Sequence, residues 1–126
     1  EGMASSEDRA EGQGPAPEST LVQYIVCRKD LLLPPLSWPI GSVITQGCHA
    51  SVKATWLFRE DELTQSYLAN IDSMHKIVLS AKNEAELSKT VSLLEENGVP
   101  FALWTEQPEN MKTALATKPC PRGEVS

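Results

Sequence analysis

Four polar residues of one predicted helix have side chains suited to chemistry on a bound substrate. Ser42, Gln46, His49 and Lys53 recur every three or four positions, so a helix places them along one side. They offer a hydroxyl, an amide, an imidazole and an ammonium, whereas a purely solvated face is more often made of Glu and Lys. The opposite side is predicted to face the core and carries Ile40, Val43, Ile44, Gly47, Ser51, Ala54 and Phe58. The polar side therefore predicts a functional site.

Strands and helices alternate along the chain and must position this helix. Short apolar runs rich in β-branched residues predict strands, and apolar residues every three or four positions predict helices. Asn83 with Glu86 three residues later predicts a helix start, and Gly98 predicts a helix end. The order β-α-β-α-β-β predicts an α/β fold with a four-stranded mixed sheet covered by helices. The predicted strands are 21–27, 75–80, 101–106 and 113–118, and the predicted helices are 39–58, a short one at 63–70, and one starting after residue 83.

Charged and polar residues follow two of the predicted strands. Arg28, Lys29 and Asp30 come after the first strand, and residues 106–110 come after the third. Ligand sites in open α/β sheets gather beyond the carboxyl ends of the parallel strands. We therefore expect both groups to meet there, beside the start of the first helix.

Charge and cysteine content limit the class of protein. The 126 residues carry a net charge of −6, and the first twenty contribute −4 of it, from five acids and one arginine. The remainder is only mildly acidic, which weakens a nucleic-acid-binding interpretation but leaves room for a local basic patch. Cys27, Cys48 and Cys120 form no Cys-x-x-Cys pair, which predicts reduced thiols and no metal site. With no apolar run near the roughly 20 residues of a membrane span, a cytoplasmic protein is expected.

The first twenty residues predict a segment separate from the folded domain. They are rich in Gly, Pro, Ser and acidic residues and contain no aliphatic run, a composition typical of disorder. Glu1 and Gly2 precede Met3, which suggests a remnant of an expression vector. Residues 21–126 are expected to form one domain.

The chain resembles the type 2 peptidyl-tRNA hydrolase family over residues 21–119. The landmarks are Arg-Lys-Asp-Leu at 28–31, Gly41 and Gln46 with Cys-His-Ala at 48–50, and the acid-bearing turn at 106–110. Ser-Trp-Pro at 37–39 and the segment 103–110 are most similar to the divergent branch of peptidyl-tRNA hydrolase domain-containing proteins.

This resemblance implies a three-layer α/β domain that cuts the ester between a peptidyl group and tRNA, without a metal or an organic cofactor. The reaction needs a positioned water, a proton acceptor and donors for the charge that develops on the carbonyl oxygen. His49 and Glu106 are the catalytic candidates under this interpretation. The substrate-binding candidates are Lys29, Ser42, Gln46, Lys53, Asn110 and Thr113. The expected partner is the acceptor end of peptidyl-tRNA, with no membrane contact, and a homodimer is left open.

The chain departs from the family pattern at two of these positions. Ser42 stands where better-studied members carry Lys, and Glu106 stands where they carry Asp. Loss of one donor to an oxyanion costs roughly 10²–10³ in rate, so reduced activity is predicted. Two alternative interpretations remain open: His49 only holds the helix against the sheet, and Glu106 is only a solvated acid at the end of a strand. The alternative function is a non-catalytic relative that binds tRNA ends or protein partners.

Overall fold

The structure is a computed structural model and describes residues 20–124. The disordered tail predicted for residues 1–20 therefore lies, except for Thr20, outside the described residues. The strands are β1 (Leu21–Arg28), β2 (His75–Ala81), β3 (Phe101–Glu106), β4 (Met111–Thr117) and β5 (Cys120–Pro121). The α-helices are α1 (Ile40–Leu57), α2 (Glu62–Ala69) and α3 (Glu84–Glu96). Short 3₁₀ segments occupy Lys29–Leu32, Ile71–Ser73 and Arg122–Glu124.

The strands form one mixed sheet in the order β2-β1-β4-β3, with β5 added beside β1. β1 and β2 are parallel, from Val22 opposite His75 to Arg28 opposite Ala81. β4 runs antiparallel to both β1 and β3. The predicted α/β fold and mixed sheet are confirmed, and the sheet gains a two-residue fifth strand. Since β1, β2 and β3 point the same way, their carboxyl ends share one edge with the start of β4.

Helices cover both faces of the sheet, which gives three layers. Neighbouring residues of a strand point to opposite faces, so Ile25 packs beneath α1 while Val26 packs beneath α3. The α1 side is filled mainly by alanines: Ala50, Ala54, Ala102, Ala114 and Ala116. The α3 side holds larger residues, Leu87, Leu94, Val99 and Leu115. Small side chains let α1 approach the sheet closely.

Gly47 marks the tightest part of this approach. A Cβ atom at that position would lie 3.1 Å from Cys27 Sγ and 3.4 Å from Ile25 Cγ2. The missing side chain therefore sets the distance between α1 and β1. This distance fixes the height of the helix that carries the polar candidates.

The prediction of the buried side of α1 is wrong at its amino-terminal end. Ile40 and Ile44 are 61% and 58% exposed, whereas Gln46, expected on the polar side, is only 2% exposed. The helix is rotated so that its smallest residues, Gly47, Ala50 and Ala54, face the sheet. This rotation turns Gln46 inward, where a hydrogen-bond partner compensates its burial.

Side chains cap the two shorter helices. Asn83 accepts a hydrogen bond from the Glu86 backbone N–H, as the sequence predicts, and Glu86 accepts one from the backbone N–H of Lys82. Gly98 leaves α3 with a φ of +67°, a conformation that glycine adopts readily. Asp61 caps α2 by accepting from Leu63 N–H. None of the helices within residues 20–124 combines the length and hydropathy that crossing a bilayer requires.

Candidate active site

A cavity of about 310 Å³ opens at the edge of the sheet where β3 ends and α1 begins. One wall is the segment entering α1 and its first two turns, and the other is the β3–β4 turn. Its lining consists of Trp38, Pro39, Ser42, Thr45, Gln46, Glu106 and Glu109. Three of the predicted site residues, Ser42, Gln46 and Glu106, therefore lie around one space.

Gln46 and Thr113 join the two walls beneath this cavity. The Thr113 hydroxyl donates to Gln46 Oε1 over 2.7 Å, and both residues are buried. Gln46 Nε2 in turn donates to the Ser42 carbonyl over 3.2 Å. The amide is thus held by contacts on both of its ends and presents a fixed polar surface to the cavity.

A β-bulge explains why Thr113 reaches Gln46. Trp104 pairs with Ala114 and Thr105 pairs with Lys112, so Thr113 is an extra residue in β4. Strict alternation would send Thr113 to the α3 side, because its neighbour Ala114 packs on the α1 side. Bulges re-aim side chains in this way. Sequence reasoning found Thr113 through the family resemblance but contained no signal for the bulge.

Trp104 connects the two catalytic candidates. Its indole Nε1–H donates to Glu106 Oε1 over 2.9 Å, and the His49 ring stacks on the indole with 4.4 Å between centroids and 25° between planes. His49 and Glu106 therefore lie on the same side of the sheet and contact a common residue. This role of Trp104 was not predicted, although residues two apart on a strand share a face, which places Trp104 beside Glu106.

Lys53 lies beside the same indole and far from Ser42. Its ammonium donates to the Leu103 carbonyl over 2.8 Å and sits 5.9 Å from the Trp104 ring centroid. Eleven residues of helix separate Lys53 from Ser42, about 16 Å along the axis. Its charge is therefore too far from Ser42 to act at that position.

Two further candidates lie on the connecting segments. Lys29 is exposed in the 3₁₀ segment that follows β1. Asn110 closes the β3–β4 turn with a φ of 57°, and its side-chain oxygen accepts from Gln107 Nε2 over 3.3 Å. Neither residue is among those lining the cavity.

Arg28 links the end of β1 to the start of β4 at this edge of the sheet. Its guanidinium makes two hydrogen bonds to the Asp30 carboxylate, at 3.0 and 2.8 Å, and one to the Lys112 carbonyl at 3.1 Å. The Arg28 contact holds the pKa of Asp30 below its ordinary value of 3.8. Because Lys112 precedes the bulge, this buried arginine ties the end of β1 to the segment that presents Thr113.

The charge of the described cavity lining is negative. Glu106 and Glu109 contribute carboxylates, and the described lining includes neither Lys nor Arg. Such a lining disfavours a phosphate group inside the cavity. Within residues 20–124, no group of three His, Cys, Asp or Glu residues is arranged to hold a metal ion.

Comparison with known proteins identifies the family. The chain matches the family described as peptidyl-tRNA hydrolase PTH2 over residues 21–126. It is 43% identical over 106 residues to a Mus musculus protein named "Putative peptidyl-tRNA hydrolase PTRHD1", covering 84% of this chain and 76% of that protein. It is 41% identical over 110 residues to the Homo sapiens protein of the same name, covering 87% and 79%. The chain belongs to the PTH2 peptidyl-tRNA hydrolase family, as its sequence resemblance predicts.

Proposed function

We propose that this protein hydrolyses the ester bond between a peptidyl group and tRNA. Family membership supports the reaction, and the placement of Ser42, Gln46 and Glu106 around one cavity supports the location. That shared cavity is the observation on which the assignment chiefly rests. The cavity volume of about 310 Å³ admits the ester and its flanking atoms but not a folded tRNA, which stays outside.

Glu106 is the group that orients the attacking water, because its carboxylate lines the cavity and accepts hydrogen bonds. His49, which lies outside the cavity lining against Trp104, is the proton acceptor, because a neutral imidazole offers one nitrogen that can accept a proton. Gln46, held by Thr113, donates to the substrate carbonyl. Ser42 and Asn110 contact the substrate atoms that flank the ester. The remaining substrate-binding candidates, Lys29 and Lys53, bind phosphates of the tRNA outside the acidic lining.

The proposed activity is slow compared with that of enzymes that carry a lysine after the glycine. Ser42 supplies a neutral hydroxyl where an ammonium would stabilise the developing oxyanion. Losing one preorganised donor costs roughly 10²–10³ in kcat. The cytoplasm is the proposed location, because an enzyme acting on peptidyl-tRNA works where translation proceeds.

Release of tRNA from a purified N-acetylaminoacyl-tRNA tests the proposal. The wild-type chain should release tRNA above the buffer rate, and Glu106→Gln should lower the excess to a small residual rate because the carboxylate is lost at constant shape. Glu95→Gln, an exposed carboxylate on α3, is the matched control and should match wild type. His49→Phe keeps an aromatic ring on Trp104 but removes the proton acceptor, so it should lower kcat as far as His49→Ala does. Wild-type rates in Glu106→Gln would contradict the assignment.

A second function is favoured by the same cavity. Its two carboxylates and the serine at position 42 are compatible with a relative that does not hydrolyse its ligand, and that binds tRNA ends through groups outside the acidic lining or binds protein partners. Retained binding of an uncharged tRNA, together with a hydrolysis rate equal to buffer, would select this alternative. Sedimentation of the purified chain decides whether it works as a homodimer.

A further inference from the structure

Trp104 lies between His49 of α1 and Glu106 at the end of β3. It lies on β3, an edge strand of the sheet, and packs against the alanine-rich core beneath α1. From that anchored place it makes a polar contact with Glu106 and an aromatic contact with His49. The residue is therefore fixed by packing and fixes two others in turn.

Strand geometry and side-chain length make the contact with Glu106 possible. Residues 104 and 106 project from the same face of β3 because they are two positions apart. The longer glutamate side chain can fold back along the strand until one carboxylate oxygen reaches the indole N–H at 2.9 Å. The second oxygen, Oε2, is then held on the far side of the carboxylate.

The indole itself is held from the helix. His49 stacks on its face, and the Lys53 ammonium lies 5.9 Å from its ring centroid while bonded to the neighbouring Leu103 carbonyl. His49 and Lys53 are four residues apart on α1 and so act from one side. The orientation of the indole N–H is thereby set by α1, the same helix that supplies Ser42 and Gln46.

We propose that Trp104 is a positioning residue for Glu106: its indole N–H fixes the carboxylate that faces the cavity, and His49 fixes the indole. The proposal rests on the catalytic role assigned above to Glu106. Removing the N–H while keeping an aromatic ring frees the carboxylate to rotate. Misplacement of a reacting group by about 1 Å can cost 10²-fold in rate, and a lost orienting contact is expected to cost part of that.

The kinetic test uses Trp104→Phe, which removes the donor and retains a ring for His49. We expect kcat for N-acetylaminoacyl-tRNA to fall about tenfold with KM nearly unchanged, because the contact acts on orientation and not on substrate binding. In a Glu106→Gln background the same substitution should change the rate by less than twofold, because the residues act as a unit. Trp56→Phe, an exposed tryptophan on α1, is the matched control and should match wild type.

An NMR experiment tests the contact between Trp104 and Glu106, and it needs neither an activity measurement nor a Trp104 variant. The chain has three tryptophans, so its nitrogen-15 NMR spectrum should contain three indole N–H signals. Glu106→Gln should shift the Trp104 signal and leave that of Trp56, exposed on α1, in place. An unmoved Trp104 signal would overturn the proposal whatever the kinetics.

The outcomes separate this proposal from the proposed function. A tRNA release rate equal to buffer in the wild type would remove the catalytic function and leave the NMR experiment to decide whether Trp104 holds Glu106. An unchanged kcat in a folded Trp104→Phe, or an equal loss in the wild-type and Glu106→Gln backgrounds, would overturn the positioning role while leaving hydrolysis standing.

Discussion

The Thr113 hydroxyl lies 2.7 Å from Gln46 Oε1 and joins β4 to α1 directly beneath the candidate site. Sixty-seven positions of sequence separate the two residues. Both are buried, so each compensates the desolvation of the other. This pair connects the wall that carries Ser42 with the strand that leaves the β3–β4 turn.

Breaking this pair from one side should destabilise the fold. Thr113→Val leaves Gln46 Oε1 buried without its donor, which costs about 1–3 kcal/mol. Urea unfolding measures the loss, with Thr90→Val on α3 as a control expected within about 0.5 kcal/mol of wild type. Adding Gln46→Leu removes the orphaned amide, so the double variant should lose less than the sum of the single losses. Strict additivity would contradict the coupling.

A cation at position 42 should raise the activity. Ser42→Lys places an ammonium at the cavity wall beside Glu106 and Glu109, where it can stabilise a developing oxyanion. We expect kcat in tRNA release to rise at least about tenfold. Ser88→Lys adds the same charge on α3, away from the site, and should change nothing. Equal rates in Ser42→Lys and Ser88→Lys would contradict a specific role for a cation at position 42, because both variants carry the same net charge.

Acid should destabilise the protein partly through Asp61. Its hydrogen bond with Lys118, 2.9 Å long, holds the pKa of Asp61 below the ordinary 3.8. A carboxyl with a lowered folded-state pKa adds stability above pH 3.8 that is lost as the pH falls below it. Asp61→Asn keeps an oxygen that can cap α2. It should reduce the acid-induced loss of unfolding free energy by about 0.5–1 kcal/mol, a small amount because the ion pair is partly exposed.

Urea unfolding between pH 7 and pH 3 measures the acid effect. Asp72→Asn, an exposed carboxylate in the second 3₁₀ segment, is the control and should leave the profile as in wild type. Asp30, whose pKa Arg28 also lowers, should maintain a residual slope in both variants. A steeper acid loss in Asp61→Asn would contradict the assignment.

Alkali should destabilise the protein through Tyr67. Its hydroxyl donates to the His75 carbonyl, and burial raises the pKa of Tyr67 to about 12. A group with a raised folded-state pKa contributes stability below pH 10.0 that is lost as the pH rises towards 12. Tyr67→Phe should remove about 2 kcal/mol of this pH-dependent loss. Tyr24→Phe also loses a hydroxyl hydrogen bond, to the Arg122 carbonyl, and should retain the alkaline slope.

The Lys76 ammonium, 3.4 Å from the Tyr67 hydroxyl, titrates in the opposite sense. Burial lowers the pKa of Lys76 from its ordinary 10.5, so its contribution makes the fold more stable as the pH rises towards 10.5. This gain should be missing in Lys76→Met, whereas the loss between pH 10.0 and 12 through Tyr67 should remain. A Lys76→Met profile identical to wild type would contradict the role of Lys76.

Sequence patterns are sufficient for the order of the four main strands and three α-helices but not for the short fifth strand or for the details of the site. The periodicity of residues 84–96 and the cap at Asn83 predict α3 closely, because both signals are local. The inward turn of Gln46 depends on how closely α1 packs, and the aim of Thr113 depends on a bulge in a distant pairing. Such features arise from contacts between elements, which no single stretch of sequence contains.

The roles of His49, Glu106 and the six binding candidates stay predictions, although their placement now limits them. Ser42, Gln46 and Glu106 share the cavity, and Thr113 supports it from beneath. The contact of His49 with Trp104 could not be predicted, because stacking on a residue of another element does not change the periodicity of the helix sequence. The residue types could be found from the sequence, whereas their mutual contacts required the fold.

The hydrogen atom that serves as the Gly47 side chain has an effect well beyond its own position. A methyl group there would press on Cys27 Sγ from 3.1 Å and on Ile25 Cγ2 from 3.4 Å. The Cys27 side chain, or the helix above it, would have to shift by a few tenths of an ångström. The spacing between α1 and β1, and with it the position of the wall that carries Ser42, is thus limited at the thinnest point between helix and strand.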